Sequence, residues 1–333
     1  MVEAYIELER RFGEWSNTQN VVACSSGTSA LQLAIEALQL PKGSYVILPE
    51  FTMIACARAV TMAGLKPYPV DCNPVTLNMD PIQAIETFWS FRNVSAVMLV
   101  HIYGRAVDHK WFEFAKTNDI KIIEDLAEAH AIQANPLTDA ACWSFYRNKE
   151  IAGEEGGAVA FKDEEVAVRA RCLRSQGFTP EHDFLHEPGG MNCRLSNANA
   201  ELILDSLANV TGNLSWRCHV IDTYNSLIPK NLQRPERQSA WVYDLRVPDS
   251  VYYGGLVATV KGLNEHGIAA RMAFKPISMQ PEYKREGYEK LNAYHASRTV
   301  MYLPVSPEMT ASTVRYNVSK LLDYFDYVGK KPR

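Results

Sequence analysis

Lys149 stands in the run Ser144-Phe145-Tyr146-Arg147-Asn148-Lys149-Glu150, and glycines follow it at 153, 156 and 157. Upstream, Asp125 closes the apolar run Ile122-Ile123-Glu124-Asp125. A primary amine can form an imine with an aldehyde. A carboxylate can keep a ring nitrogen protonated, so that the ring draws electrons out of a neighbouring bond. Those are the two demands of pyridoxal phosphate chemistry. A third group, Ser25-Ser26-Gly27-Thr28-Ser29, precedes the helical pattern of Ala30 to Leu38. Free amide groups at a helix start, with hydroxyls beside them, bind phosphate well. Each feature also has a plain reading. A loop lysine is a solvated charge, an aspartate at a strand end caps the next turn, and Ser-Gly-Thr-Ser is an ordinary helix cap.

Other residues qualify as partners. Phe51, in Pro49-Glu50-Phe51-Thr52, sits past a strand end, where it either stacks on a flat ring or belongs to the core. Arg174, Arg194 and Arg271 are candidates to hold a carboxylate or phosphate, with a structural salt bridge as the alternative for each. His130 reads as a structural histidine, and Trp143, Phe145 and Tyr146 as core and wall. His182 and His186 have metal-like spacing, but no third ligand is near, so no metal is expected.

Positioning these groups requires strands that end in one crevice. Apolar runs at 45–48, 66–70, 95–100, 120–123, 141–145 and 158–161 read as strands, and 30–38, 54–63 and 111–118 as helices. This alternation predicts an α/β fold with a mostly parallel sheet sandwiched by helices. In such sheets ligands bind at the carboxyl ends of the strands, where Asp125 would emerge. Ser196 to Val210 reads as a long helix. A smaller C-terminal α+β domain follows, with strands over 241–247 and near 269–274 and a last helix over 312–327. The expected division is 1–212 and 213–333.

With 333 residues, 47% of them hydrophobic, the chain can bury a large core. A net charge of -4 without a basic block gives no electrostatic signature of nucleic-acid binding. The seven cysteines are scattered and form no CxxC pair, which fits a reducing cytoplasm. No signal peptide and no apolar run of membrane-spanning length is read.

In their order, several segments resemble the DegT/StrS family of PLP-dependent aminotransferases, which modify nucleotide-linked sugars. They are Ser26-Gly27-Thr28-Ser29-Ala30-Leu31, Pro49-Glu50-Phe51-Thr52, His101-Ile102-Tyr103-Gly104, Glu124 to His130, Ser144 through Lys149, Gly153 to Gly157, Asn192 to Ser196, Gly267-Ile268 with Arg271, Gln280 to Tyr283 and Leu303-Pro304-Val305. The resemblance implies fold type I, with Lys149 as the Schiff-base lysine and Asp125 on the pyridinium nitrogen. It implies that Gly27, Thr28, Ser29 and Ser144 hold the phosphate, that Phe51 stacks on the ring, and that Glu128 lies near the ring oxygen. It also implies that Asn192 reaches the partner's cofactor in a homodimer with shared sites, that Arg271 approaches the substrate, and that glutamate is the amino donor.

The chain departs from the family pattern on the substrate side. It has a short N-terminal stretch and a brief segment from Ala131 to Thr138, and Ser278 stands where relatives carry a histidine. Three readings follow. The first is an aminotransferase acting on a sugar or other small carbonyl carrier. The second is a decarboxylase, dehydratase or lyase on an amino-acid-like group, conceivably carried on a nucleotide or DNA base. The third is a non-catalytic protein that kept the fold.

Overall fold

The structure is a computed structural model. It describes residues 3–82, 85, 88, 93–179, 184–248, 251, 255–306 and 309–329. Strands β1 (Val21–Cys24), β2 (Tyr45–Pro49), β3 (Lys66–Val70), β4 (Val94–Val100), β5 (Lys121–Asp125), β6 (Ala140–Ser144) and β7 (Gly157–Phe161) form one sheet in the order β1-β7-β6-β5-β4-β2-β3. β7 runs antiparallel to both its neighbours, and the other pairs are parallel. The sheet is therefore mostly parallel, as expected. The exception matters for the site. A parallel connection needs a crossover, whereas an antiparallel one lets the chain turn straight back. The segment leaving β6 does turn back, and so keeps Lys149 over the carboxyl end of the sheet.

Helices α1 (Ala4–Ser16), α2 (Gly27–Ala37), α3 (Ile54–Met62), α4 (Lys110–Thr117), α5 (Glu164–Arg174) and α6 (Asn197–Ala208) pack around this sheet. The turn after α3 closes on Gly64, whose φ of +73° suits a residue without a Cβ. The apolar pattern alone does not single out α1, β1 or α5. α1 is charge-rich and buries only a narrow seam through Leu8 and Phe12, and β1 is four residues long.

A second, three-stranded antiparallel sheet, in the order β8 (Tyr243–Arg246), β10 (Val300–Leu303), β9 (Arg271–Met272), carries the smaller C-terminal α+β unit. Helices α7 (Val210–Leu227), α8 (Leu256–Glu265), α9 (Asn292–Thr299) and α10 (Ala311–Gly329) follow in the chain, with short 3-10 turns between elements. Position 212 falls inside α7. Val210 and Leu214 of that helix join the core shared by α1 and α6, while Val220, Ile221 and Tyr224 join the core of the small sheet. Among the described residues no helix is long and apolar enough to cross a membrane.

Candidate active site

Adjacent residues of a strand face opposite sides of the sheet, so Glu124 and Asp125 cannot share a task. Glu124 accepts from His101 Nε2 at 2.8 Å, from Thr138 Oγ1 at 2.7 Å and from the Asn135 amide at 3.0 Å. It is structural. Asp125 is as deeply buried, but its hydrogen bonds come from one amide, that of Ala127 at 2.9 Å, and one thiol, Cys56 Sγ at 3.4 Å. Burial raises its pKa, only partly offset by these donors and by Lys149. A buried carboxylate with such weak partners is one that a cation could still stabilise.

Lys149 lies on the loop between β6 and β7. The loop is pinned by Phe145 N to Gly156 O and Gly153 N to Phe145 O, both 2.8 Å. From α7, Arg217 donates to the carbonyls of Lys149 at 2.9 Å and Asn148 at 3.2 Å. It also donates to Trp241 at 3.2 Å and Val305 at 2.9 Å in the small unit. One guanidinium thus ties the lysine loop to the opposite wall. The Lys149 Nζ sits 3.7 Å from the centre of the Trp241 ring. Burial lowers the lysine's pKa, against the pull of Glu128, Glu150 and Asp125. Glu128, in turn, is pushed up by burial, although Lys149 opposes this, and it accepts from the Tyr103 amide at 2.8 Å.

Glu150, the next residue, is anchored from three sides. It accepts from the Ser239 hydroxyl, lies near Arg217, and has His130 Nδ1 3.1 Å from its Oε2, without hydrogen-bond alignment. Burial works against its charge, but these neighbours outweigh it and hold its pKa at about 2. His130, stacked on Phe145, is structural as expected.

α2 starts at Gly27 with Ser26 as its cap, whose Oγ accepts from the Ser29 amide at 3.1 Å. The hydroxyls of Ser25 and Ser26 each lie 3.0 Å from that of Ser29. Thr28 is exposed beside them. A Cβ on Gly27 would come within 2.7 Å of Ser144 Cβ, so glycine lets the end of β6 approach the helix start. Ser25 N also bonds Cys193 O at 2.8 Å, which brings exposed Asn192 to the same edge, where it lines an open cavity of about 550 Å³ with Arg194.

Phe51 is fully buried, edge-on to Tyr103 (centroids 6.1 Å apart, 87° between planes) and 5.7 Å from Phe274. Arg271 is exposed on β9, opposite Tyr302 of β10. Arg174 is committed elsewhere, to Glu9 at 2.8 Å and the Ala23 carbonyl. Ser278 is buried and donates to Glu50 through both its amide and hydroxyl. His182 lies outside the described residues. His186 contacts the Gln176 carbonyl, and no metal-binding cluster occurs among the described residues.

Sequence reasoning missed Tyr103, Trp241, Arg217 and Cys56 as parts of this site. Tyr103 and Gly104 both have positive φ (52° and 79°), and a Cβ on Gly104 would come within 2.0 Å of the Ser239 carbonyl. The His-Ile-Tyr-Gly run carried that signal, because a glycine after an aromatic at a strand end marks a forced turn. The other three carry no local signal.

A family model described as the DegT/DnrJ/EryC1/StrS aminotransferase family matches residues 3–322. The chain belongs to this family. It is an enzyme of the aminotransferase type, and pyridoxal phosphate is its cofactor. Among family relatives, GDP-perosamine synthase of Caulobacter vibrioides is 32% identical over 296 residues, covering 84% of this chain and 78% of that protein. The Pleiotropic regulatory protein of Geobacillus stearothermophilus is 27% identical, covering 96% and 88%. Of solved structures, DesV of S. venezuelae superposes with a TM-score of 0.86 at 25% identity, covering 100% of this chain and 91% of that one. Residues present at the site fit the cofactor. Asp125 is buried without a cation directly bonded to it, and the Gly27–Ser144 contact leaves a hydroxyl-lined cradle at a helix start.

Proposed function

We propose that this protein moves an amino group, with glutamate as donor, to a carbonyl carbon on a sugar or other small carrier, working through Lys149 in a homodimer with shared sites. The observation that carries the reading is half-buried Lys149, whose amine lies against Trp241 and within the fields of Glu128 and Asp125 at the carboxyl end of the sheet. Relatives named as GDP-perosamine synthase and as UDP-2-acetamido-2-deoxy-3-oxo-D-glucuronate aminotransferase support the sugar carrier.

Pyridoxal phosphate, when bound, supplies an aldehyde and an electron sink. The protein's residues do the rest. The backbone and hydroxyls of Gly27, Thr28 and Ser29, with Ser144, hold the phosphate. Phe51 lies against the ring, and Asp125 keeps the ring nitrogen protonated. Glu128 stands near the ring oxygen. Lys149 has a lowered pKa, so its neutral amine is accessible for covalent attachment. Released, the Lys149 Nζ would take up the proton lost from the substrate's reacting carbon and hold it within the site for return. Asn192 reaches the partner subunit's phosphate site, and Arg271 meets the substrate.

A second reading keeps these residues and breaks a carbon–carbon or carbon–heteroatom bond instead. It is favoured by Ser278, which is turned inward onto Glu50 and offers no imidazole to a substrate. The products separate the two. Bleaching of the visible band by glutamate, with release of 2-oxoglutarate, supports amino transfer. Carbon dioxide or ammonia released without a keto acceptor supports the second. For both, Lys149→Ala must abolish the visible band of lysine-bound cofactor, and a variant that kept it would sink the assignment.

A further inference from the structure

Four aromatic rings, Tyr103, Trp241, Phe274 and Tyr302, form one cluster, and one of them, Trp241, covers Lys149. Tyr103 and Trp241 have centroids 6.2 Å apart, Trp241 and Tyr302 6.1 Å, and Tyr103 and Phe274 stack at 5.2 Å. Two hydrogen-bond donors in this wall are unspent among the described residues. Trp241 is 6% exposed and its indole N–H has no partner; Tyr103 is wholly buried, its oxygen facing the Phe274 amide but its O–H donating to no acceptor. Leaving a buried donor unmade is costly, and native structures rarely do so without a reason. Trp111 and Trp143 also lack partners for their indole N–H groups, so the orphan state alone decides nothing. All three pack in apolar clusters, and what separates Trp241 is that its ring covers the Lys149 Nζ at 3.7 Å.

A tryptophan can cap a lysine for cation–π attraction alone. Burial here disfavours the charged amine, which weakens that purpose. A phenylalanine would cover a neutral amine as well. The N–H is the part left without a task.

We infer that Trp241 is a substrate-orienting residue of this site, its indole N–H and the Tyr103 O–H donating hydrogen bonds to an oxygen that the substrate carries beside its reacting carbon. The ligand class is an oxygen acceptor (carboxylate, carbonyl or hydroxyl), because an indole donates only. Exposed Arg271, across β10 on the Tyr302 side, extends this wall with a positive charge. The inference rests on the reading of Lys149 as the cofactor's anchor.

Two small probes that displace Lys149 from the cofactor test it without knowledge of the natural substrate. Aminooxyacetate carries a carboxylate, and methoxyamine does not. Loss of the visible band against probe concentration is followed for wild type, Trp241→Phe and Tyr103→Phe. Wild type should prefer aminooxyacetate. Trp241→Phe should cut that preference, read as the ratio of the two responses, roughly tenfold, the worth of about one hydrogen bond. Tyr103→Phe should act in the same direction. A purely structural role would shift both probes together and leave the ratio intact. A wild type with no preference, or both variants keeping it, overturns the inference while leaving the Lys149 reading standing. A wild-type protein reconstituted with the cofactor that shows no visible band overturns both.

Discussion

The two walls of the site are built by different means. The wall of Asp125, Ser26–Ser29 and Ser144 belongs to one sheet and the helix that follows β1, and close backbone approach holds it. Gly27 lies against Ser144, and a Cβ on Gly157 would fall 2.3 Å from the Ser26 carbonyl. The wall of Trp241, Tyr302 and Arg271 arrives from the small sheet and is joined to the first by buried charge. Arg217 spans the two through backbone carbonyls. Arg105 pairs with Asp244 at 2.7 Å, and Arg237 adds a second contact to that aspartate at 3.1 Å. Contacts made by removing side chains leave nothing to adjust. Contacts made by arginine forks can be strengthened, lost or re-aimed by single substitutions. The first wall is thus suited to a cofactor that does not change, and the second to substrates that do.

That contrast can be broken by experiment. The largest effect is expected at Asp125. Asp125→Asn should slow the glutamate half-reaction by roughly 10²–10³-fold, the usual loss when one preorganised electrostatic partner is removed, without unfolding the protein. Stopped-flow absorbance measures it, and a rate within a few-fold of wild type would separate Asp125 from the chemistry.

Arg217→Ala comes next. Losing a buried guanidinium that satisfies carbonyls on both walls should lower stability by about 3 kcal/mol in urea titration. Arg217→Lys should recover part of it. If the alanine variant is as stable as wild type, the second wall is not held by this residue.

Gly27→Ala sharpens the other side. The added Cβ meets Ser144 Cβ, which cannot swing aside, so the cradle must open. Cofactor affinity should fall by about tenfold, roughly 1.4 kcal/mol, measured by fluorescence titration of the apoenzyme. An unchanged dissociation constant would show that the close approach does not shape the phosphate site.

The smallest effect concerns pH. Glu150 is held at about 2 in the folded protein, below its ordinary 4.5. A depressed acid stabilises the fold above the unfolded pKa and loses that contribution as pH falls through the folded one. The stability advantage of wild type over Glu150→Gln should therefore shrink between about pH 4.5 and pH 2. Thermal melts across that window check it, and a gap that widened with acid would reverse the sign assigned to Glu150.

Most of the first wall was legible in the chain. The helix start at Gly27, the end of β5 at Asp125 and the loop lysine after β6 all follow from local rules of capping, strand alternation and chain reversal. Asp125 stood out by its place at the strand end and by the family resemblance, and the partners across the sheet add the reason that Glu124 is committed elsewhere: His101, Thr138 and Asn135 for Glu124, Cys56 of α3 for Asp125. Trp241 read as one residue of a strand-like run, and Arg217 was not singled out. Nothing near them in sequence says that they meet Lys149.

By itself, the sequence determined the alternation of strands and helices and the family, and it offered the candidate groups for holding pyridoxal phosphate. The periods of 2 and 3.6 and the caps are local properties of the chain. Tertiary structure alone decided which ring covers Lys149 and which guanidinium joins the two walls. Those contacts join residues far apart in the chain. Their partners are chosen by the packing of one sheet against the other, which no local pattern records.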